Sequence, residues 1–487
     1  MNILRYFIIF ILFTIFKIDF VSSQNSVQKE VNKFINASTL ENASISFLAI
    51  DLDSNTTIAE FNSRKSLPSA STAKLFATST ALKTLGKNYS PFTNLFIEGE
   101  ITSDSILNGN VWIQGGGDPT LGSRFFNDEG KESSFLTVWV DTLLKLGIKT
   151  IKGRIIADGS SFSYQGVPDG WTWSDMGNYY GAGASGVSAY DNMIRYHFKT
   201  GSQAGQKTQL MSTFPLIENL NFDNQITSSN RQGDNSYIYG APYSYDRFGT
   251  GTLPLNRTDF MVKGSLPDPE LQLAIEFSNE LIKRGVLISQ NPIGNRKVKY
   301  DNNYKNFKLF YVHKGEKIES IVAKTNLHSV NLFAESLLYL ISFEKSGFGS
   351  TENGIKEVEK CWGKDVDFKS MNLTDGSGLS RSNAISASHF CQLLQGIYKS
   401  GIYLDFSNSL PIAGCSGTLS GVCKNQLGHG RVKAKSGTLN RVKSYVGYVD
   451  SKSGKKIAFA IIVNNYNCSS SQLVDMMEHI FNSLSTF

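Results

Sequence analysis

Clustered metal ligands are missing from this chain. Its 487 residues include only six histidines and five cysteines. The histidines are scattered without a His-Glu-x-x-His pattern, and the cysteines lack the spacing of a metal site. We therefore expect no metal ion, no other cofactor and no histidine as catalytic base.

The cysteines leave two interpretations open. Their number is odd, so they cannot all pair within one chain. Cys415 and Cys423 lie close together in a Gly/Ser-rich loop and could form a disulfide in an oxidising compartment. Free thiols, scattered through core and loops, are the alternative.

Concentrated charge and long apolar runs are also rare. The net charge of +6 is spread along the chain, and the absence of a basic stripe argues against nucleic acid as a partner. One apolar run, Tyr6 to Phe16, follows Arg5 and is typical of a secretory signal peptide over residues 1–23. No other stretch is long enough to cross a bilayer. We predict a secreted protein of the periplasm or cell envelope, with no transmembrane anchor after signal cleavage.

The two ends of the remaining chain differ in texture from its middle. The ends alternate helices with strand hairpins, whereas the middle is rich in Gly, Asn, Ser and Tyr with short alternating strands. We predict an α+β catalytic domain from residues 24–87 and 312–487, interrupted by a large, mostly β insert at 88–311. The predicted elements are the helices Ser26 to Leu40, Pro269 to Lys283, Leu332 to Ile341 and Gln472 to Leu484; the hairpins Ile45 to Phe61 and Val442 to Asn464; and the strands Asn110 to Gln114 and Thr150 to Ala157.

Ser71 and Lys74 form the most informative pattern. They occur in Ser71-Thr72-Ala73-Lys74, at the start of a predicted helix, and this spacing puts hydroxyl and amine on one face. A serine beside a lysine is a nucleophile with its own base, provided that the amine is desolvated or lies near another cation. The pattern alone is weak, because Ser453-Gly454-Lys455-Lys456 matches it as a hairpin turn.

Two further motifs would complete an acyl-transfer site. Ser329-Val330-Asn331 precedes a predicted helix and offers a hydroxyl to relay protons and an amide to hold a carbonyl. The chain has five Lys-[Ser/Thr]-Gly triplets, but only Lys435-Ser436-Gly437-Thr438 opens an alternating strand after both other motifs. A cation there can attract a substrate carboxylate and depress the Lys74 pKa, and an exposed strand can dock an extended peptide.

In this order, the three motifs resemble those of the serine D-alanyl-D-alanine carboxypeptidases/endopeptidases, the class C low-molecular-mass penicillin-binding proteins. The long interval between the first two motifs is a mark of that family, and the resemblance runs over nearly the whole mature chain. Three further segments carry it: Gly117-Asp118-Pro119-Thr120-Leu121, Asp375-Gly376-Ser377-Gly378-Leu379-Ser380-Arg381 and Leu410-Pro411-Ile412-Ala413-Gly414.

The resemblance implies the penicillin-recognising transpeptidase fold, a five-stranded antiparallel sheet flanked by helices. It also implies that peptidoglycan stem peptides are the substrates and that β-lactam antibiotics are covalent inhibitors. The implied roles are: Ser71, nucleophile; Lys74, base; the N–H groups of Ser71 and Thr438, oxyanion hole; Ser329, proton relay; Asn331, peptide binding; Lys435 and Thr438, terminal carboxylate. Ser436 stands where the family usually has threonine and keeps the hydroxyl.

The resemblance further suggests a pocket for the side chain of a diaminopimelate-type stem. Asp175, Tyr180 and Arg381 occupy the matching positions, and a free amine and carboxylate on the stem would suit Asp175 and Arg381. A surface acid, a core tyrosine and a structural ion pair are the alternative interpretation.

Two other functions remain open from the sequence. A serine β-lactamase would need a carboxylate to activate water, and Glu218-Asn219-Leu220-Asn221 falls one residue short of the Glu-x-x-Leu-Asn spacing. A non-catalytic muropeptide-binding protein could keep the fold without the reaction. The intact motifs argue against the second alternative.

Overall fold

The computed structural model describes residues 26–298 and 302–487. The predicted signal peptide, residues 1–23, therefore lies outside the described residues. Among the helices of the described ranges, none combines the length and the apolar character needed to span a bilayer.

The two ends of the chain together form a five-stranded antiparallel sheet. Its strands are β1 (Ser44–Asp51), β2 (Thr56–Phe61), β17 (Val432–Leu439), β18 (Val442–Asp450) and β19 (Lys456–Asn464). They lie in the order β17-β18-β19-β1-β2, so β17 is an edge strand and β19 is central. Both predicted hairpins are confirmed, and their pairing through β1 and β19 joins the N-terminal part of the domain to its C-terminal part.

Helices cover both faces of this sheet. Along β19, Phe459 and Ile461 belong to one buried cluster and Ala460 and Ile462 to the other, because successive strand residues point to opposite faces. The first cluster includes α1 (residues 26–35) and α12 (Ser470–Thr486); the second includes α2 (Lys74–Thr84), α7 (Ile318–His328), α8 (Asn331–Ser346), α9 (Thr351–Trp362), α10 (Ala387–Tyr398) and α11 (Tyr403–Ser409). The predicted terminal helix is confirmed, whereas the first helix ends at residue 35 and Ser38–Leu40 forms a separate 3-10 turn.

Helix α2 is the central helix of the domain. All of its residues from Lys74 to Leu82 are buried, and it packs between α7, α8 and α9. A helix that is buried all round needs apolar or small residues on every face, which the run Leu75 to Leu82 supplies. The polar head of Lys74 is thereby held inside the protein.

In its described residues, 88–298 and 302–311, the insert is mostly β and forms three sheets. The first is mixed, with the order β14-β5-β4-β3-β16, with β6 beside β4 and with β15 beside β6. The second is antiparallel, β13-β7-β8. The third is β10-β12-β11 with β9 beside β12. The strands are β3 (Phe92–Ile101), β4 (Ile106–Gly115), β5 (Thr150–Ile151), β6 (Ile155–Asp158), β7 (Met193–Lys199), β8 (Gln209–Phe214), β9 (Asn221–Asn224), β10 (Thr227–Ser229), β11 (Asn235–Tyr239), β12 (Asp246–Pro254), β13 (Phe260–Ser265), β14 (Leu287–Ile288), β15 (Ile293–Gly294) and β16 (Lys308–Lys314).

Three details of the insert differ from the sequence reading. The predicted strand Thr150 to Ala157 is split, because Gly153 approaches the backbone oxygen of Gly109 so closely that a Cβ would lie 2.4 Å from it. Strand β16 pairs with β3, so the boundary predicted at residue 311 falls inside a strand of the insert's sheet. The helices are α3 (Ser134–Leu144), α4 (Trp173–Met176), α5 (Pro269–Lys283) and α6 (Asn295–Val298), of which only α5 was predicted.

Candidate active site

Ser71 lies in a 3-10 turn, Ala70–Ala73, that leads directly into α2. The turn is fastened to the sheet because the Ser444 hydroxyl of β18 donates to the Ser69 carbonyl at 2.6 Å, and Thr72 donates to the same oxygen at 2.7 Å. Ala70, the residue before the serine, has a φ of +51°, a left-handed conformation that L-residues rarely adopt. Tertiary contacts thus hold the serine in place.

The Lys74 amine has three oxygen neighbours. It lies 2.9 Å from the Ser71 Oγ, 2.6 Å from the Asn331 Oδ1 and 2.6 Å from the Ser377 carbonyl oxygen. The amide and carbonyl oxygens can only accept hydrogen bonds. They therefore take the two hydrogens of a neutral amine, and the remaining lone pair faces the Ser71 hydroxyl.

Burial changes the pKa of this amine. Complete desolvation lowers the pKa of Lys74 from 10.5 to about 7, and the nearby carboxylates of Asp375 and Glu335 oppose that shift. A substantial fraction of the amine is consequently neutral at neutral pH. The desolvation required for a Ser-Lys pair is present.

Two buried acidic side chains, Glu335 and Asp375, hold the turn that contacts the Lys74 amine. Glu335 of α8 accepts the N–H groups of Gly376 and Ser377 at 3.0 and 2.7 Å. Asp375 accepts the N–H groups of Gly378 and Ser380 at 2.8 and 2.7 Å. These bonds fix the turn whose Ser377 carbonyl accepts from Lys74. Burial, and then the Asp375 charge, raises the pKa of Glu335 to about 8.

Ser329 and Lys435 form a second hydroxyl and amine pair. Ser329 ends α7 with a φ of +60°, and its Oγ accepts from the Lys435 Nζ at 2.9 Å. Lys435 also donates to its neighbour's carbonyl, that of Ser436, at 2.7 Å. Burial, followed by repulsion from Lys74 and Lys443, brings the pKa of Lys435 well below 10.5. Lys435 thus contacts Ser329 directly, through a hydrogen bond.

Asn331 connects the catalytic domain to the insert. Its Oδ1 accepts from Lys74, while its Nδ2 donates to the Tyr180 carbonyl at 2.7 Å. Tyr180 belongs to the 3-10 turn Tyr179–Gly181, which also contacts β13. The insert therefore forms one wall of the site.

The edge strand β17 forms the opposite wall. A Cβ on Gly437 would lie 3.0 Å from the Ser71 nitrogen and 2.3 Å from the Ser444 Oγ, so only glycine lets the strand approach the nucleophile. Beyond it, Ser436 donates to the Thr418 hydroxyl at 2.7 Å, and the exposed Thr438 accepts from Lys443 at 3.0 Å. Pro411 and Ala413 pair with the first residues of β17, whereas the part of its edge at Gly437 lies beside the serine.

The three residues expected to bind a diaminopimelate-type side chain are only partly brought together. Asp175 contributes to the raised pKa of Tyr180, after burial, and accepts from Thr172 at 2.7 Å. Arg381 is exposed and forms no ion pair within the described ranges. Its loop contacts the insert at Ser380, which lies close to Gly170. The structural ion pair of the alternative reading is therefore not formed.

The structure also bears on whether Cys415 pairs with Cys423 and on the environment of Glu218. All five cysteines are free thiols, with Cys415 exposed beside His429 and Cys423 buried, so the disulfide interpretation is not supported. Glu218 is exposed and precedes β9 in the insert. Across residues 26–298 and 302–487, no group of three metal-ligating side chains comes together.

The sequence reading missed Glu335, Asp375 as a turn former, and Lys443. Glu335 had a visible signal, since it is the one carboxylate in the otherwise apolar run Leu332 to Ile341. A charged residue in a buried helix needs partners, which are here the amides of the Asp375 turn. Lys443 had no such signal in the sequence, because its position opposite Thr438 follows from strand pairing.

The protein has an α+β domain in which a buried lysine amine contacts a serine hydroxyl next to an edge strand. This combination is typical of the serine acyl-transfer enzymes of the penicillin-recognising fold. The chain belongs to the D-Ala-D-Ala carboxypeptidase 3 (S13) family, whose model matches residues 27–485. It is accordingly a serine-type peptidase, and the expected family is confirmed.

Relatives of known name are similar over most of their length. The D-alanyl-D-alanine carboxypeptidase DacB of Haemophilus influenzae is 26% identical over 454 residues, 88% of this chain and 86% of that protein. A D-alanyl-D-alanine carboxypeptidase of Actinomadura sp. is 25% identical over 455 residues, 91% of this chain and 81% of its own.

A solved structure confirms the expected fold. Penicillin binding protein 4 of Haemophilus influenzae superposes with a TM-score of 0.78 at 23% identity, over 92% of this chain and 97% of that one. A second structure of that protein, complexed with a β-lactam, has a TM-score of 0.72 at 21% identity and the same coverage.

Proposed function

We propose that this protein is a secreted, penicillin-binding serine DD-peptidase of the periplasm or cell envelope. It removes the terminal D-Ala from peptidoglycan stem peptides, cleaves D-Ala-containing cross-links, or does both, through an acyl-serine intermediate. One observation carries the proposal: the buried Lys74 amine, with a pKa of about 7, lies 2.9 Å from the Ser71 Oγ.

Acylation starts with proton transfer from Ser71 to Lys74. The Ser71 Oγ forms a bond to the carbonyl carbon of the penultimate D-Ala, and the carbonyl oxygen becomes an oxyanion. The N–H groups of Ser71 and Thr438 stabilise that oxyanion, because they lie on the turn and the strand that Gly437 brings together. Asn331 holds the substrate's peptide group opposite β17.

Collapse of the intermediate breaks the bond between carbon and nitrogen. The departing D-Ala nitrogen takes a proton from the Ser329 hydroxyl, which regains one by relay from the Lys74 ammonium. Lys74 is then neutral again and accepts a proton from the water that attacks the acyl carbon. That attack breaks the ester and returns the proton to Ser71.

The amines around β17 support a preference for substrates with a free C-terminal carboxylate. Lys435 is fully buried and bonded to Ser329, and an incoming carboxylate would favour its charged form, while Thr438 supplies the hydroxyl contact. Lys443, which donates to Thr438 at 3.0 Å, adds a second ammonium at the mouth. These three side chains are suited to bind the terminal carboxylate.

A β-lactam would enter the same acylation and leave slowly. The carboxylates nearest Lys74 are Glu335 and Asp375, and both are fully buried and occupied by backbone amides. Neither is available to activate a deacylating water, and Glu218 is exposed on the insert. This arrangement favours a penicillin-inhibited peptidase over a β-lactamase, and rapid nitrocefin turnover would contradict it.

The convergence of Ser71 and Asn331 on the Lys74 amine argues against a purely muropeptide-binding protein. Digestion of purified peptidoglycan followed by muropeptide mapping tests the proposal, with Ser71→Ala as the control. Loss of pentapeptides shows carboxypeptidase activity, and loss of cross-linked dimers shows endopeptidase activity. An unchanged muropeptide profile, or an identical penicillin adduct on Ser71→Ala in intact-mass spectra, would overturn it.

A further inference from the structure

A second pocket adjoins the candidate active site on the side of the insert, and the proposed reaction does not use its charged residues. Its volume is about 400 Å³, and Ser329 and Asn331 form the wall that it shares with the site. Its other lining residues include Arg124, Tyr179, Lys263 and His328. We name it the Arg124–Lys263 pocket.

Two cations converge on one ring in this pocket. The Arg124 guanidinium lies 5.6 Å from the centre of the Tyr179 ring, and the Lys263 amine lies 5.9 Å from the same centre. Arg124 is held there by its neighbour Phe125, whose ring stacks on His328 at 5.3 Å and packs on Phe333 at 5.6 Å. The loop that carries Arg124 is thus anchored to the junction of α7 and α8.

The positive charge of the pocket is only partly compensated. Asp191 lies 3.6 Å from the Arg124 Nε and also accepts from Ser123 at 2.5 Å. Lys263 has no carboxylate within ion-pair distance in the described part of the chain. Burial, and then repulsion from Arg124 and Arg195, lowers the pKa of Lys263. An incoming anion would relieve that repulsion and gain charge-assisted hydrogen bonds.

We propose that the Arg124–Lys263 pocket is a subsite for a second carboxylate of the peptidoglycan substrate, separate from the terminal carboxylate expected at β17. The inference rests on the proposed function. It shares Tyr180 with the expected diaminopimelate pocket, but neither of the two charged residues of that pocket, Asp175 and Arg381, lines it. The carboxylate comes either from the stem that is being cleaved or from the neighbouring stem of a cross-link.

Three substrates separate these sources: an N-acylated D-Ala-D-Ala peptide with neutral side chains, a monomeric pentapeptide muropeptide and a cross-linked dimer. The variants are Arg124→Gln and Lys263→Gln. Lys324→Gln is the matched control, since this cation lies beside the pocket, 5.9 Å from the Phe126 ring, without lining it. The control should leave all three rates unchanged.

Both pocket variants should keep kcat/KM for the peptide with neutral side chains. For a substrate with a second carboxylate, kcat/KM should fall about tenfold, as expected for the loss of one charged hydrogen bond. Loss on pentapeptide and dimer assigns the carboxylate to the cleaved stem, and loss on the dimer alone assigns it to the neighbouring stem. Equal loss on all three substrates, or no loss, overturns the subsite. Lys263→Gln breaks no ion pair, so it keeps the test valid if Arg124→Gln unfolds.

Binding separates failure of the subsite from failure of the proposed function. In a Ser71→Ala background, calorimetry should show pentapeptide and dimer muropeptides binding, and Lys263→Gln should weaken the binding of at least one about tenfold. Equal affinities with and without Lys263→Gln overturn the subsite even if the enzyme is active. If the wild-type chain neither releases D-Ala nor cleaves cross-links, with carboxylate-dependent binding retained, only the proposed reaction is overturned.

Discussion

Glu335 accepts the backbone N–H of Ser377 at 2.7 Å, and the carbonyl of that same residue accepts from the Lys74 amine at 2.6 Å. A buried side chain on α8 is therefore connected to Lys74, the proposed catalytic base, through one residue of an intervening turn. Neither contact involves the nucleophile, yet together they decide which way the lone pair of the amine faces.

Replacing Glu335 by alanine should loosen this turn. Two buried amides would lose their acceptor, which should lower the free energy of unfolding by about 2 kcal/mol and the rate of acylation by a β-lactam about tenfold. Denaturant unfolding and stopped-flow acylation measure the two effects. Glu352→Ala, a surface substitution, is the control. Lost stability with an unchanged acylation rate would show that the turn does not position Lys74.

The pH dependence of acylation should follow the Lys74 amine. Only its neutral form can take the Ser71 proton, and its pKa is lowered to about 7. The second-order rate of acylation by a β-lactam should rise about tenfold per pH unit below that pKa and level off above it. A flat profile between pH 5 and about 9 would contradict this assignment of the base.

The same burial should cost stability. The folded pKa of Lys74 is about 7 against 10.5 for the free side chain, so the unfolded chain binds more protons between these values. The contribution of Lys74 to stability therefore becomes more favourable as the pH rises from about 7 to 10.5. Lys74→Met should be more stable than the wild type near pH 7 by a few kcal/mol, and the difference should shrink towards pH 10. Denaturant unfolding at several pH values measures it.

Gly437→Ala should separate the edge strand from the nucleophile. The added Cβ would lie 2.3 Å from the Ser444 Oγ and 2.7 Å from the Ser69 oxygen, so β17 must shift. The acylation rate should fall about 10- to 100-fold, the equivalent of about 1–3 kcal/mol. Gly401→Ala is the matched control, because nothing lies within 4 Å of its Cβ position. Equal rates for both variants would rule out close packing at β17 as a requirement.

The positions of Asp175 and Arg381 predict that the enzyme prefers stem peptides with a diaminopimelate-type side chain. If they bind the amine and carboxylate of a diaminopimelate-type side chain, Arg381→Gln should lower kcat/KM about tenfold for a stem peptide with that terminus. A peptide without it should be cleaved equally by wild type and variant. Equal rates of the wild type on both peptides would remove the reason for the pocket.

Much of the architecture follows from local pattern. The hairpins of β1 with β2 and of β18 with β19 combine apolar strand segments with short turns, and α5 begins at Pro269 behind the cap Asp268. Helix α3 was missed within a strand-rich stretch, although Phe135, Trp139 and Leu143 recur at helical spacing on its buried face. The strand split at Gly153 depends on a distant backbone oxygen, which no local pattern contains.

The sequence by itself determined the chemistry: three ordered motifs name the hydroxyl, the amines and the edge strand, because their residue types and local structure are encoded within a few positions. Only the tertiary structure decided how these groups meet. The Asn331 and Ser377 oxygens, 257 and 303 residues away, lie where they would take the hydrogens of a neutral Lys74 amine and leave its lone pair to Ser71. The cations of the Arg124–Lys263 pocket likewise come together only when the insert packs against α7 and α8, since long-range packing sets distances that local sequence does not.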